Sequence, residues 1–346
     1  MISDVAGLTT WGKQDFPLID DADVAQVKLE DPYCSQADSG RIFWDLPSPR
    51  AYIRGAVYTR DNELVAASQR RGGIASDVVL TVNPLRLTRE ERELASGQMV
   101  QGDWLYVGNW MHVFGHFLVE TLPALWPAFE PGGEHFDGVC AHRFNVRERF
   151  AWQDELIRLA VGDLAIRIID ETPMRFQSLA VGRRLYDYPQ RISSRANRVW
   201  DAVANSTGVE NEARDRVFLS RSSMAARGQD PRSMTNAPAV DNVFAEHGFE
   251  VIHPEEIPIR KQVAIARDAR ILAGAAGSAL HLAAFSRAAR VVELGDARTQ
   301  RSIVPTQRAI ASVKNQEVAH IQYRSDGKGG LDIGHLEDCL NALGLT

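Results

Sequence analysis

Apolar and polar positions along this chain follow two rhythms. From Arg216 to about Leu294, the runs RVFLS, FEVIHP, RILAG and RVVEL read as buried strands, and the segments between them carry helical spacing. Strand and helix in strict order require right-handed crossovers and a parallel sheet covered on both faces, with ligands at the carboxyl ends of the strands. From Trp104 to about Tyr188 the texture is again α/β: WLYVG, FDGVCA, AIRIID and SLAVG alternate with the helical stretches MHVFGHFLVETL and WQDELIRLAVG. Before residue 100 the strands are short and antiparallel in character. AYIRGAVYTRDNELVAAS reads as two runs around Asp61 and Asn62, a pair suited to a hairpin turn. The polar segment RISSRANRVW sets the expected boundary between domains 1–195 and 196–330, and a last helix within 331–346 is expected to pack back on the first domain.

Length agrees with this division, because 346 residues exceed what one core usually organises. With 45% hydrophobic and 24% charged residues the composition is that of a soluble globular protein. A formal net charge of -6 argues against a surface built for polyanions, so nucleic acid is not an expected partner. Cys34, Cys140 and Cys339 show no CxxC spacing, which points to free thiols in a reducing compartment. The start MISDVAGLTTW lacks the basic and apolar regions of a signal peptide, and the apolar stretch from Ile271 is shorter than the ~20 residues of a membrane span. A cytoplasmic location is expected.

The first candidate site lies in GNWMHVFGHFLVETLPALW, from Gly108. Helical spacing puts His112, His116 and Glu120 on one face. A carboxylate one turn from an imidazole orients the ring and raises its basicity, as a general base for a hydroxyl requires. A satisfied histidine in a helix interface is the plainer reading. Zinc is disfavoured because the run is not HExxH and no further ligand stands at an obvious spacing. Pro123 should kink or end the helix just after Glu120.

The second site is assembled from three pieces. VFLSRSS brings Arg221, flanked by Ser220 and Ser222, to a predicted strand end, where a guanidinium fork can hold a diphosphate and offset charge on a departing nucleotide. ARILAGAAGSALHLAAF passes from a strand through Gly274 and Gly277 into a helix opened by Ser278, a turn whose free N–H groups suit a phosphate. It is neither a Walker A loop nor GxGxxG, so kinase and dehydrogenase readings lose their usual support. Glu293, ending RVVEL, is placed to accept bonds from both ribose hydroxyls of a nucleotide. Each piece alone is compatible with ordinary packing; their conjunction on one sheet edge points to a nucleotide site. Asp21 and Asp23 spell a DxD motif, but no nucleotide-binding unit precedes them.

With these residues laid out, the chain resembles glycosyltransferase family 61, which includes plant xylan-modifying transferases, animal O-GlcNAc transferases of the secretory pathway and bacterial capsular-polysaccharide proteins. The resemblance runs from about residue 105 to 295. It rests on HFLVE, on LSR at Leu219 to Arg221, on Arg232 and Asn236 before a helix leading into GFEVIHPEE, on Gln262, on GAAGSAL and on VVEL. It implies a GT-B fold: two Rossmann-like domains facing a cleft, here with added N-terminal β-hairpins. It also implies a nucleotide-sugar donor held mainly by the second domain, inversion at the anomeric carbon, and no obligatory metal or other cofactor. The acceptor would be a glycan or lipid-linked glycan, which leaves peripheral membrane association open. Many members carry a histidine where this chain has Ala276 and an acid where it has Ala237; His281 is a candidate to take over part of that histidine's role. In the resulting assignment His116, Glu120 and Arg221 are catalytic. Ser220, Ser222, Arg232, Asn236, Gln262, Gly274, Gly277, Ser278, His281 and Glu293 bind the donor. A nucleotide-sugar epimerase or hydrolase on the same scaffold and a catalytically silent glycan-binding protein are the competing functions.

Overall fold

Parallel strands buried on both faces read as unbroken apolar runs, and the chain supplies two sets of them. The computed structural model describes residues 5–35, 55–72, 84–97, 99–132, 135–144, 149–170, 172–208, 214–228, 234–287, 290–296 and 302–346. They form two compact units, Met1–Phe16 with Val203–Thr346, and Pro17–Ala202. The chain opens on β1 (Leu8–Lys13), which belongs to the first of these and not to the hairpins expected of an N-terminal domain.

In the unit Pro17–Ala202, β2 (Gln26–Glu30), β3 (Tyr33–Ser35), β4 (Ala56–Tyr58), β5 (Met99–Trp110), β6 (Gly138–Arg143), β7 (Ala165–Ile169) and β8 (Met174–Gly182) share one sheet. Its order is β4-β3-β8-β5-β6-β7, with β2 also on β8. β8, β5, β6 and β7 pair in parallel, whereas β2 and β3 meet β8 antiparallel. Trp104, Tyr106, Cys140, Phe176, Leu179 and Val181 fill the core that this sheet covers. The turn expected at Asp61 and Asn62 forms, with Asn62 at φ 68° and Thr59 N–H donating to Glu63 at 2.8 Å. The second run stops short of a full strand. Ser68 Oγ accepts from Val57 N at 3.1 Å and donates to Val65 O at 2.7 Å, which folds Ala66–Ser68 into a tight helical turn. Beyond β8 come the two-residue strands β9 (Tyr186–Asp187) and β10 (Arg191–Ile192). The helices α1 (Arg89–Ser96), α2 (Phe114–His116) and α3 (Ala151–Val161) belong to this unit, and α4 (Ala196–Asn205) contains the division.

The other unit holds β11 (Arg214–Leu219), β12 (Glu250–Ile252), β13 (Ala269–Ala275), β14 (Arg290–Leu294) and β15 (Glu317–Ile321). Its helices are α5 (Ser222–Ala226), α6 (Ala237–Glu246), α7 (Ile259–Asp268), α8 (Pro305–Val313) and α9 (Ile333–Ala342). The sheet order is β1-β15-β14-β13-β11-β12, with β1 antiparallel on β15 and the other pairs parallel. Counted along the chain, the parallel strands run 2-1-3-4-5, the doubly wound order whose switch point lies between β11 and β13. Alternate residues Phe218, Ile271, Ala273, Val292, Leu294 and Ile321 bury one face against α6 and α9, with Phe218 stacked on Phe244 at 3.8 Å between ring centres. This corrects the expected place of the last helix: Leu336, Cys339 and Leu340 of α9 complete this core and not that of the first domain. Trp11 Nε1 donates to Leu343 O at 3.2 Å, tying both chain ends into the same unit.

One glycine tests the packing of the first sheet. A Cβ at Gly138 would lie 2.5 Å from the Trp104 ring and 2.7 Å from the Ala165 carbonyl, which has no room to yield. Gly138→Ala is expected to destabilise the protein by about 2 kcal/mol. A urea midpoint equal to that of the parent would contradict this packing.

Candidate active site

β5 is buried over its last seven residues, Trp104–Trp110, and runs directly into the segment carrying the candidate base. Thr121 clamps that junction: its hydroxyl donates to Asn109 O at 2.7 Å and accepts from Met111 N at 3.2 Å. Gln153 of α3 donates to Met111 O at 2.9 Å, and the fully buried Trp200 donates to Leu118 O at 2.9 Å. The expected single helix forms in three pieces. α2 ends at His116, a wider π-type turn covers Phe117–Thr121, and a tight 3-10 segment runs over Leu122–Phe129. Pro123 sits at the last transition, where its missing N–H and ring displace the regular bonding pattern. His112 lies before α2, stacked on Phe144 at 5.1 Å, so the expected shared face contains His116 and Glu120 without it. The extended backbone of Val113 separates them.

His116 and Glu120 are joined. His116 Nδ1 stands 2.6 Å from Glu120 Oε1, with the imidazole one-third exposed and the carboxylate almost wholly buried. Arg70 completes the arrangement, donating through Nε to Oε2 and through Nη2 to Oε1 at 2.9 Å. Burial would raise the Glu120 pKa, but the Arg70 charge, with the bonds from His116 and Arg70, outweighs it and holds the group down at about 2. A carboxylate ionised at neutral pH cannot donate, so Nδ1 carries the proton and Nε2 of a neutral ring is the acceptor. Tyr188 packs beside both side chains, 5.1 Å from the His116 ring and 5.5 Å from the Arg70 guanidinium. Arg70 and Tyr188 stand 50 and 68 positions from Glu120, and no local spacing in the sequence announces either.

The other unit gathers the second set of residues. Leu219 and Gly274 are register partners on β11 and β13, so Ser220–Ser222 and the glycine turn leave the sheet side by side at its switch point. Ser220 and Ser222 both donate to Asp241 of α6, the former at 2.6 Å, while Ser222 N donates to Ser220 Oγ at 3.0 Å. Arg221, between them, is half-buried at the start of α5. Nothing in the sequence singles out Asp241, because a helical aspartate looks like any solvated acid. Gly277 adopts φ 145°, a conformation that demands glycine, and Ala276 N donates to Leu294 O at 2.7 Å. Ser278 lies in the turn itself, and a short 3-10 segment, Leu280–Phe285, takes the place of the expected α-helix. His281 is buried within it.

Other expected donor residues are engaged inside the fold. Asn236 donates to Leu331 O at 2.8 Å and accepts from Leu331 N at 2.9 Å. Gln262 donates to Pro254 O at 2.7 Å and to Ile257 O at 3.0 Å. Glu293 is fully buried; its Oε1 accepts from Val304 N at 2.9 Å and lies 3.1 Å from His320 Nδ1. It does not present the open strand-end carboxylate that ribose binding requires, because β15 and the approach to α8 enclose it. Arg232 lies outside the described residues. Asp21 pairs with Arg195 at 3.4 Å, and among the described residues no three histidine, cysteine or acidic side chains gather around a common point for a metal.

The family model described as Glycosyltransferase 61 matches residues 114–292, more than half of the chain and the span from α2 to β14. The chain belongs to glycosyltransferase family 61. It is a glycosyltransferase of mixed α/β fold with parallel sheets. The matched span includes His116, Glu120, Arg221 and the glycine turn; Arg70 and Glu293 fall outside it. No curated relative matches the chain in sequence. Among solved structures it is similar to the bacterial iron-containing dodecameric glycosyltransferase TibC from enterotoxigenic E. coli H10407, at 11% identity and a TM-score of 0.31, covering 82% of this chain and 80% of that one. No helix among the described residues is long and apolar enough to cross a membrane.

The ion pair makes a pH-dependent prediction. Because the Glu120 pKa of about 2 lies below the ordinary 4.5, its stabilising contribution is full above that ordinary value and is lost as pH falls toward 2. Glu120→Gln, which leaves Arg70 buried without its countercharge, is expected to cost about 3 kcal/mol at pH 7. The difference from the parent should shrink between pH 4.5 and 2. Urea unfolding of the two proteins across that range measures it, and a gap independent of pH would contradict the assignment.

Proposed function

We propose that the protein is an inverting GT-B glycosyltransferase that moves a sugar from a nucleotide-sugar donor to a hydroxyl of a glycan or lipid-linked glycan acceptor. Its setting is the cytoplasmic synthesis of a bacterial surface or capsular polysaccharide. The observation that carries this reading is the bond between His116 and the buried, ionised Glu120, which leaves an imidazole nitrogen ready to accept a proton. In this reading His116 Nε2 takes the proton of the acceptor hydroxyl as that oxygen bonds to the anomeric carbon. The bond from that carbon to the diphosphate oxygen breaks, and its electron pair leaves on the nucleotide. Attack from the face opposite the leaving group inverts the centre.

Donor binding is assigned to the other unit. The support is the adjacency of Arg221 and the Gly277 turn at the switch point of a doubly wound sheet. Arg221, with the N–H groups of Gly277 and Ser278, opposes the charge that appears on the departing diphosphate, and no metal is required. Ser220 and Ser222, held by Asp241, position that arginine. Asn236 and Gln262 are placed to shape the surrounding backbone more than to touch the donor.

Replacing His116 by Ala should lower kcat by about 100- to 10,000-fold while donor affinity and thermal midpoint stay near those of the parent. Arg221→Ala should weaken nucleoside-diphosphate binding and reduce turnover by about 100-fold. Transfer from a panel of nucleotide sugars, with analysis of the products, supplies the assay; a stable and fully active His116→Ala protein would remove the proposed base. Turnover is expected to continue in EDTA. Loss that magnesium or manganese restores would assign the leaving-group role to a cation.

A further inference from the structure

The unit Pro17–Ala202 holds a cavity of about 380 Å³, open on one side to solvent, that the assignments above do not use. Arg183 and Arg184 reach it directly after β8, at the same sheet edge where β5 delivers the His116 segment, and Arg71 and Arg191 complete its cationic lining. Against these four guanidiniums stand two carboxylates, Asp23 and Asp187. Asp187 is already shared: its Oδ2 accepts from Arg183 at 3.0 Å and from Arg191 at 3.1 Å. Arg184 is buried, yet it donates to neutral oxygens, Asn109 Oδ1 at 2.8 Å and Ser68 O at 3.3 Å, and its buried Nε has no partner among the described residues. The Nε of Arg191 is likewise buried without a partner among them. Burial holds the Arg184 guanidinium below its ordinary pKa. The carboxylate that acts on Arg184, Glu120, is already closed on Arg70, so four guanidiniums facing two carboxylates leave the cavity with an excess of positive charge that an anion would offset.

We propose that this cavity binds the oxyanion of an acidic acceptor sugar, a carboxylate or a phosphate ester, and thereby selects anionic glycans as acceptors. That the anion belongs to an acceptor rests on the transferase reading. The cavity lies in the unit that carries His116, and Arg70, which holds Glu120, sits in the chain between Gln69 and Arg71 of its lining. The volume is near the lower end of ligand sites, enough for one charged sugar residue and not for an extended chain. Paired guanidinium forks match the two or three oxygens of such a group.

The test is titration calorimetry of the full chain at low salt with glucuronate, with inorganic phosphate and with glucose, all without donor. Glucuronate, phosphate or both should bind and glucose should not; which of the two binds separates a carboxylate from a phosphate ester. Arg71→Gln, at a half-buried arginine with no partner among the described residues, should preserve folding and weaken that binding by at least about tenfold. Arg221→Ala should leave it unchanged, which separates this cavity from the donor site. Absence of binding by both anions, or binding insensitive to Arg71→Gln, would overturn the inference even in an enzyme that transfers sugar to neutral acceptors. Anion binding that depends on Arg71 in a protein without transferase activity would leave the site standing and remove the acceptor reading.

Discussion

Parallel pairing decides the direction in which every strand of a sheet ends, and both units of this protein are organised by that constraint. Strands running the same way must be joined by crossovers, so their carboxyl ends and the loops beyond them collect on one edge. In the unit of β11 to β15 this edge receives Ser220 to Ser222 and the Gly277 turn from two register partners. In the other unit it receives the His116 segment after β5 and the Arg183–Arg184 pair after β8, strands that are themselves neighbours. Chemistry-bearing residues far apart in sequence are brought together without any long loop having to find its place.

Within the unit of β2 to β10 the electrostatics centre on Glu120. A carboxylate so deeply buried is held ionised chiefly by Arg70, which closes two bonds on it, while His116 adds a bond from the solvent side. The same pairing fixes the imidazole tautomer, so stability and candidate catalysis share one ion pair. The π-type turn adapts the backbone there: it widens the helix across Phe117–Thr121 before Pro123, while Thr121 and Trp200 hold the segment to the strand end and to α4.

In the unit of β11 to β15 several polar groups of the expected donor set are bonded inside the fold. Asn236, Gln262 and Glu293 spend hydrogen-bonding capacity on Leu331, on the backbone before α7, and on Val304 with His320. Arg221 and the Gly277 turn stand where β11 and β13 end. A residue on a family motif can thus be bonded into the loops around a strand end, and the letters of the motif do not reveal which residues are.

Periodicity alone is enough for the strands β5 to β8 and β11 to β14, because buried parallel strands must be apolar over consecutive residues. It also suffices to place His116 four before Glu120 and the glycines after β13, since these are local spacings. Arg70, Tyr188 and Asp241 are illegible there, for their partners lie tens of residues away, and the arginine cavity is illegible because its lining joins Arg71 to the distant Arg183–Arg191 stretch; an isolated arginine or aspartate looks the same whether solvated or paired. The edge strand β1, the place of α9 in the core beside α6, and the breaking of one expected helix into three forms are likewise decided only in three dimensions. Local sequence determines which segments extend, coil or turn; tertiary structure decides which charges are buried together, because the cost of burying a charge depends on neighbours the chain brings from elsewhere.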